Sequence, residues 1–461
     1  MYASFEIDLN RFYALIARLG IFAKSHERDK RARLSGITSV MSQGLNVMTG
    51  LVSIPLTINY LGKERYGVWL TLVSLLTWLA LSDLGFGGNA LVNTLAEANG
   101  KDSHLLAQKM VSTAFWSLVV LAGFFALGFA ALFPFISWAR LFNVSNQISS
   151  SELQQAIIFS FGGFLITFPA GVVGAVYRGY QEGYIGNLWS IGANLLSLLA
   201  LLLVTRSRGG LGLLVLAMIG TKAFVTLINA AHLFLFHHRW LLPKLTAVSL
   251  SSLKRLLSLG AKYLVAQLSG IGMFQSQPLI ITQLLGPAQV GVFNVTLRLL
   301  SLPLSFLQMF SFPLMPAYGE AKNHKDWAWI RFALRRSLRL AALCLGLTVP
   351  LAVLCRPIVQ FWAGQSMLPT SSLIIFTGLY VFVSLVVTPY SVMLYGLEKV
   401  GGQAVISFLN AVLTVGAAIV LVRVMGLSGI VVGMLLGMVS VNLIGQCLQS
   451  RAALKSLESH N

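Results

Sequence analysis

Long apolar runs, separated by short polar or Gly/Pro-containing breaks, constrain this chain more than any other feature. Apolar residues fill 56% of its 461 positions and charged residues only 10%, whereas an ordinary soluble domain is about 25% charged. A run of about 20 apolar residues crosses a bilayer as one helix. The composition therefore excludes a soluble enzyme and predicts an all-α polytopic membrane protein.

The spacing of these runs predicts about twelve transmembrane helices. We place them at about residues 35–60, 66–84, 110–134, 153–177, 185–205, 210–236, 260–285, 291–316, 333–354, 369–394, 402–422 and 428–448. Polar helical extensions are expected after the second and the eighth span. Before the first span, Phe5, Leu9 and Phe12 begin an apolar pattern of helical period. It predicts either an amphipathic helix in the membrane interface or a solvated tail.

The distribution of Lys and Arg predicts how the chain is oriented in the membrane. Of 33 such residues, 24 lie in the N-terminal segment, in the even-to-odd connections and after the last span, and seven lie on the opposite side. Cytoplasmic loops carry the excess of positive residues, so both termini are expected in the cytoplasm. This bias also accounts for the net charge of +19, and no nucleic-acid partner is expected.

The chain repeats itself at an offset of about 224 residues. The matched segments are Leu61-Gly62 with Leu285-Gly286, Tyr66-Gly67-Val68-Trp69 with Val290-Gly291-Val292-Phe293, Glu97-Ala98 with Glu320-Ala321, and Lys101-Asp102 with Lys325-Asp326. Six spans separate the copies, so the repeat predicts two pseudo-symmetric six-helix lobes with a binding site between them. The expected units are an N-terminal segment, an N-lobe, a C-lobe and a tail, at residues 1–33, 34–240, 241–450 and 451–461.

Cationic side chains inside or beside the spans are the first candidates for function. Lys222 lies near the middle of span six, and we predict that it lines a polar cavity because an ionisable residue is costly in the membrane core. Arg298, about two turns into span eight, either does the same or snorkels outward. Arg178 and Lys262, at the cytoplasmic ends of spans, either meet a substrate or anchor the helices. Cations with few acids favour an anionic ligand such as phosphate or pyrophosphate.

Hydroxyl and amide side chains within the spans predict a wet interior of the kind that binds sugars, with helix–helix hydrogen bonding as the alternative. We assign Gln43 and Asn46 of span one, with Gln275 and Asn294 of spans seven and eight, to this polar cavity. Asp83, near the cytoplasmic end of span two, is the acidic candidate for gating or ion coupling. Its alternative role is a hydrogen bond at a helix end.

Neither a catalytic site nor a metal site is expected. The His237-His238 pair ends span six without a carboxylate or cysteine nearby in the sequence, and a His pair alone is a poor metal site. No cofactor is expected either, apart from a coupling ion, for which H⁺ and Na⁺ are the candidates.

A family resemblance rests on four motifs, which are Leu61-Gly62, Tyr66-Gly67-Val68-Trp69, Ser82-Asp83-Leu84-Gly85 and Glu97-Ala98. From about residue 33 onward the chain resembles the polysaccharide-unit flippases, the O-antigen and exopolysaccharide exporters of the multidrug/oligosaccharidyl-lipid/polysaccharide superfamily. The resemblance implies a MATE-like fold that moves an undecaprenyl-pyrophosphate-linked oligosaccharide to the periplasmic leaflet of a bacterial inner membrane. It also implies alternating access with ion coupling, a cationic lumen, and work beside a polysaccharide polymerase and a chain-length regulator.

Two other classes of function stay open. A multidrug antiporter on the same fold would use carboxylates to bind cationic drugs, and spans one and seven contain none. A membrane glycan polymerase or glycosyltransferase would use carboxylates on a sizeable exposed loop. Only Glu64 and Glu152 supply acids to the short outward loops. We therefore predict a transporter rather than an enzyme.

Overall fold

The structure, a computed structural model, describes residues 27–145, 147–207 and 209–458. The apolar pattern of residues 5–23 lies outside this range. Within it the longer elements are all helices, which are α1 Glu27–Ala80, α2 Asn89–Gly100, α3 His104–Leu132, α4 Ser150–Thr167, α5 Gly171–Gly179, α6 Gly183–Val204, α7 Gly210–His237, α8 Leu250–Leu285, α9 Pro287–Leu300, α10 Leu302–Ser311, α11 Leu314–Asn323, α12 Trp327–Val353, α13 Cys355–Ala363, α14 Ser371–Gly396, α15 Val400–Met425, α16 Leu427–Gly437 and α17 Ile444–Glu458.

The described helices agree with about twelve spans. Nine are long and apolar enough to cross a membrane, and a tenth is formed by α9 with the pair α10–α11, bent by 53°. One of the nine, α1, contains the first two predicted spans, joined at Gly62, whose φ of 74° and ψ of 170° are not helical. In addition, α8 covers the seventh predicted span.

The two halves of the chain repeat the same helix pairings. In the first half α1 packs on α6, α6 on α7 and α4 on α7, and in the second α8 packs on α15, α15 on α16 and α14 on α16. Each set joins the first, fourth, fifth and sixth spans of its half. The fold is therefore an all-α bundle of two pseudo-symmetric lobes, which we call the N-lobe and the C-lobe. The residue limits of the lobes stay a prediction.

The repeated glycine motifs meet each other at the seam between the lobes. Gly62 and Gly286 both have positive φ (74° and 86°) and turn the chain back into the membrane. We call this end of the bundle outer, and the end where α1 begins inner, after the predicted orientation. Beyond these turns, Gly67 lies directly on the Pro287 carbonyl, and a Cβ at Gly291 would lie 3.1 Å from the Tyr66 ring. The repeat therefore encodes a close crossing of the two lobes.

At the inner end the repeat has an offset of 223, so one predicted match is wrong. The polar extensions predicted after spans two and eight are α2 and α11. They end at Gly100 and Asn323, and residues with positive φ follow at Asp102 and Lys325. Glu97 is thus equivalent to Glu320, whereas Lys101-Asp102 and Lys325-Asp326 are out of register by one residue.

Span eight is broken before Pro303 and at Pro313, because proline lacks the N–H that continues a helix. In contrast, Pro55 and Pro278 lie inside uninterrupted helices.

We expect Gly286→Ala to lower the melting temperature of the purified protein. The backbone at Gly286 (φ 86°, ψ 157°) occupies a region nearly exclusive to glycine, where another residue costs about 1–3 kcal/mol. Gly346→Ala is the matched control because Gly346 lies within α12 with open space around it and alanine favours a helix. Equal melting temperatures for the two variants would contradict the strained turn.

Candidate functional site

A cleft between the lobes opens at the inner end and is closed at the outer end. None of residues 34–53 of α1 is buried, whereas Ile54, Thr57 and Ile58 are. The equivalent helix α8 shows the same change, since no described position of 261–270 is buried and Gln277 and Ile281 are almost fully covered. The inner half of α1 is therefore largely uncovered, whereas α8 stays close to the N-lobe at Gln267 and Gly260.

Direct hydrogen bonds close the outer half of the seam. The hydroxyls of Thr71 and Thr282 lie 2.6 Å apart in the buried seam. Asn143 donates from Nδ2 to the Thr282 carbonyl at 3.2 Å, and Ser74 donates to the Gln275 carbonyl. Gln275, assigned to the polar cavity, thus contributes a backbone oxygen to this closure. All of these bonds join elements of the two lobes, so opening the outer end must break them.

A polar stripe on α1 faces the cleft. Gln43 and Asn46 are exposed and share one helix face with Gly50, at spacings of three and four residues. The opposite face carries exposed apolar side chains, including Met48, which is 64% exposed. An exposed apolar face suits lipid and an exposed polar face suits water. Gln43 and Asn46 therefore lie on the polar side of span one, and their assignment to a polar cavity stays a prediction.

Arg298 lies at the deep end of this stripe. Its guanidinium covers Gly50 across the seam, and a Cβ at Gly50 would fall 2.6 Å from its Nη2. Asn294 is one turn away on the same face of α9. Arg298 is half-buried, and no carboxylate in the described part of the chain forms an ion pair with it. The cleft thus ends in a positive charge that points at the opposite lobe.

Lys222 and the exposed Phe224 lie on opposite sides of α7. Phe224 is 62% exposed and lies about 200° around α7 from Lys222, at roughly 100° per residue. Asn229, on the face of Lys222, accepts a hydrogen bond of 2.9 Å from the Tyr177 hydroxyl of α5. That face therefore looks into the N-lobe, where the exposed Lys222 side chain has no ion-pair partner among the described carboxylates.

Asp83 and Arg178 come together at the inner end of the N-lobe. Asp83 accepts the backbone N–H of Gly85 at 2.9 Å, the helix-end hydrogen bond named as its alternative role. Arg178 donates to the Gly87 carbonyl at 3.5 Å and is close enough to Asp83 for their charges to interact. Both belong to the same lobe. The side chain of Lys262 lies outside the described part of the structure.

The turn that holds Asp83 also touches the C-lobe. Gly260 of α8 packs against the Leu84 carbonyl, and Arg255 forms an ion pair with Glu97 of α2. Glu97 also accepts from Lys101 at 2.7 Å, and these two cations lower the pKa of its carboxyl. A movement of α8 relative to the N-lobe would therefore displace the turn that holds Asp83.

Sequence reasoning missed a cavity of about 400 Å³ in the C-lobe, which is lined by apolar side chains together with a group of polar ones. Its polar lining consists of Gln308, Ser384, Thr388, Ser391, Tyr395 and Asn442. Four of these form one stripe along α14, at spacings of four, three and four residues. That helical spacing is visible in the sequence and is the signal that predicts this stripe. Hydroxyl and amide groups of this kind are suited to hydroxyl-rich ligands.

Two pairs of equivalent positions relate the N-lobe cations to this cavity. Gly210 and Gly426 both have positive φ at the start of their helices, and Lys222 and Met438 each lie twelve residues further on. Arg178 and Tyr395 each precede a buried helix-end glycine, with a residue of positive φ three positions later. Because Met438 and Tyr395 line the C-lobe cavity, Lys222 and Arg178 occupy the corresponding positions of the N-lobe.

Known proteins share both the sequence pattern and the fold. Residues 35–321 match the family model described as "Polysaccharide biosynthesis protein". A Salmonella typhi protein named "Putative O-antigen transporter" is 23% identical over 314 residues, covering 65% of this chain and 68% of that protein. An inward-facing multidrug resistance MATE family transporter of the MOP superfamily has a TM-score of 0.74 at 18% identity, covering 90% of this chain and 96% of that one. A Pyrococcus furiosus MOP superfamily transporter has a TM-score of 0.65 at 16% identity, covering 94% and 97%.

Proposed function

Because the chain belongs to the polysaccharide biosynthesis protein family, we propose that it moves an undecaprenyl-pyrophosphate-linked oligosaccharide from the inner to the outer leaflet of a bacterial plasma membrane. The two lobes would alternate between an inner-open and an outer-open state, with both termini in the cytoplasm. The observation that carries this proposal is Arg298, a cation without a described ion-pair partner at the deep end of a cleft that opens to the inner side.

The charge of the site supports a pyrophosphate-bearing substrate. Arg298 presents a planar guanidinium, which pairs with phosphate oxygens through two parallel hydrogen bonds. A positive charge in a low-dielectric cleft is costly until an anion neutralises it. The pyrophosphate would therefore bind at Arg298 in the inner-open state, and the prenyl chain would remain in the bilayer.

The polar surfaces around the cleft support a glycan on the other side of that pyrophosphate. Gln43 and Asn46 are exposed and would line the path toward Arg298, with Lys222 and Arg178 on the N-lobe side of that path. The C-lobe cavity of about 400 Å³ offers hydroxyls and amides of α14. We assign ion coupling, by H⁺ or Na⁺, to Asp83, since the turn that holds it contacts α8 of the opposite lobe.

Deleting the gene tests the proposal. We expect the lipid-linked oligosaccharide to accumulate in the inner leaflet and surface polysaccharide to disappear. Rescue with Lys222→Ala is expected to restore about a tenth of the wild-type surface polysaccharide, because a charge-assisted hydrogen bond contributes about 1.5–3 kcal/mol. Lys222→Arg, which keeps the charge, should recover most of it.

Lys63→Ala is the matched control, since Lys63 is an exposed lysine at the outer turn. It should rescue fully. Normal levels of lipid-linked intermediates in the deletion strain, together with altered drug tolerance, would overturn the flippase and favour an antiporter.

A further inference from the structure

Three potential metal ligands converge at the inner end of the N-lobe, away from the cleft residues. The Glu182 carboxylate is buried, with its side chain 8% exposed. Its Oε2 lies 3.0 Å from Nε2 of His237 and 3.0 Å from Nε2 of His238. The sequence shows no carboxylate near this histidine pair, and the expectation of a poor metal site rests on that absence. The fold brings Glu182 to it from 55 residues away.

Local backbone geometry makes the two adjacent histidines converge. Residues His232–His237 form a π-helical turn that ends α7, and such turns recur at functional sites. His238 has left the helix (φ −124°, ψ 63°). Adjacent residues within a helix would point about 100° apart; the helix end removes that restriction. Glu182 is held opposite by a tight turn, in which its N–H donates to the Tyr177 carbonyl at 2.7 Å.

The spacing of the ligand atoms suits zinc. The two imidazole nitrogens and the carboxylate oxygen all lie within 4.8 Å of one another. Tetrahedral Zn²⁺ binds such ligands at about 2.0–2.2 Å, which sets them roughly 3.3 Å apart. Two imidazoles and one carboxylate, with water in the fourth position, are a set that zinc uses in proteins. Small side-chain movements would complete the geometry.

Aromatic rings hold both imidazoles in place. The His232 ring stacks on His237, with centroids 5.9 Å apart and planes 12° apart. Tyr180 covers His238 at 5.1 Å. Groups that orient metal-binding histidines and exclude water commonly surround metal sites. His237 is itself exposed and His238 is half-buried, so the rings orient these imidazoles without enclosing them.

We propose that Glu182, His237 and His238 form a Zn²⁺ site that ties the turn between α5 and α6 to the end of α7. This role is independent of the substrate and of the flippase activity, so it stands or falls on metal binding alone.

Cobalt and zinc titrations of the purified full chain, with any histidine tag removed and metals stripped by chelation, test the site. Co²⁺ is expected to bind once per chain with the visible absorption of a low-coordinate ion, and Zn²⁺ should displace it. Loss of a group outside the ligand set typically weakens metal binding 10–100-fold. His238→Ala and Glu182→Gln each remove a ligand and should weaken binding by more than that. His324→Ala, at an exposed histidine of the inner end, should leave it unchanged.

The wild-type protein keeps the test decisive even if a variant fails to fold. Zn²⁺ is expected to raise the melting temperature of the wild type and of His324→Ala, and not that of His238→Ala. Absence of stoichiometric Co²⁺ and Zn²⁺ binding by the wild type, or binding equally strong in the ligand variants, would overturn the site. The cluster would then be a buried carboxylate stabilised by histidine hydrogen bonds alone.

Discussion

Arg298→Ala is expected to abolish most of the affinity for a prenyl pyrophosphate while leaving the protein folded. The guanidinium is the cation at the deep end of the cleft, and it covers Gly50 of the opposite lobe. Hydrogen bonds to charged groups contribute about 1.5–3 kcal/mol each, which corresponds to a loss of roughly 10- to 150-fold in affinity. The affinity of Arg298→Lys should lie between those of the wild type and of Arg298→Ala, since lysine keeps the charge but cannot form two parallel hydrogen bonds as the guanidinium does.

Binding of undecaprenyl pyrophosphate to the purified variants, with undecaprenol as the uncharged comparison, measures this loss. Arg423→Ala is the matched control because Arg423 is an exposed arginine at the outer end of α15. Gly50→Ala should reproduce part of the effect, since its Cβ would displace the guanidinium. If Arg298→Ala bound the pyrophosphate as tightly as the wild type, the guanidinium would not be the anion site.

The sequence was sufficient to predict the features that depend on local pattern. Span positions followed from apolar runs, and the two lobes followed from the repeated Leu-Gly turns at Gly62 and Gly286. A charge within a span pointed to Lys222 and Arg298, and their role in binding stays a prediction. Each of these inferences uses residues close together in the chain, a comparison of two such stretches, or a single property of one residue.

Features that depend on contacts between distant residues could not be predicted from one sequence. Nothing near His237 indicated that Glu182 would approach it, because that contact depends on how α5, α6 and α7 pack. The space that Gly50 leaves for Arg298 likewise exists only once α1 and α9 cross. The polar stripe of α14 is a different case from these contacts, because its helical spacing can be read directly from the sequence.

Gly67→Ala is expected to keep the outer seam from closing as it does in this structure. A Cβ at Gly67 would fall 1.7 Å from the Pro287 carbonyl oxygen, and neither backbone can yield as a flexible side chain would. The lobes must separate at this crossing, which weakens the neighbouring contact between the Thr71 and Thr282 hydroxyls (2.6 Å). We therefore expect a shift toward the outer-open state and a loss of transport by at least about tenfold, the effect of about 1.4 kcal/mol.

Labelling of an engineered Thr282→Cys by a membrane-impermeant thiol reagent added from outside measures that shift. Thr282 is almost fully buried in the closed seam, so the label should react slowly in the Gly67 background and much faster after Gly67→Ala. Gly44→Ala is the control, because Gly44 lies on the same helix with open space around it. If the lobes alternate about this glycine crossing, Gly67→Ala must change labelling and transport, and Gly44→Ala must not. Equal labelling and equal transport in both variants would mean that the crossing is not part of the transport cycle.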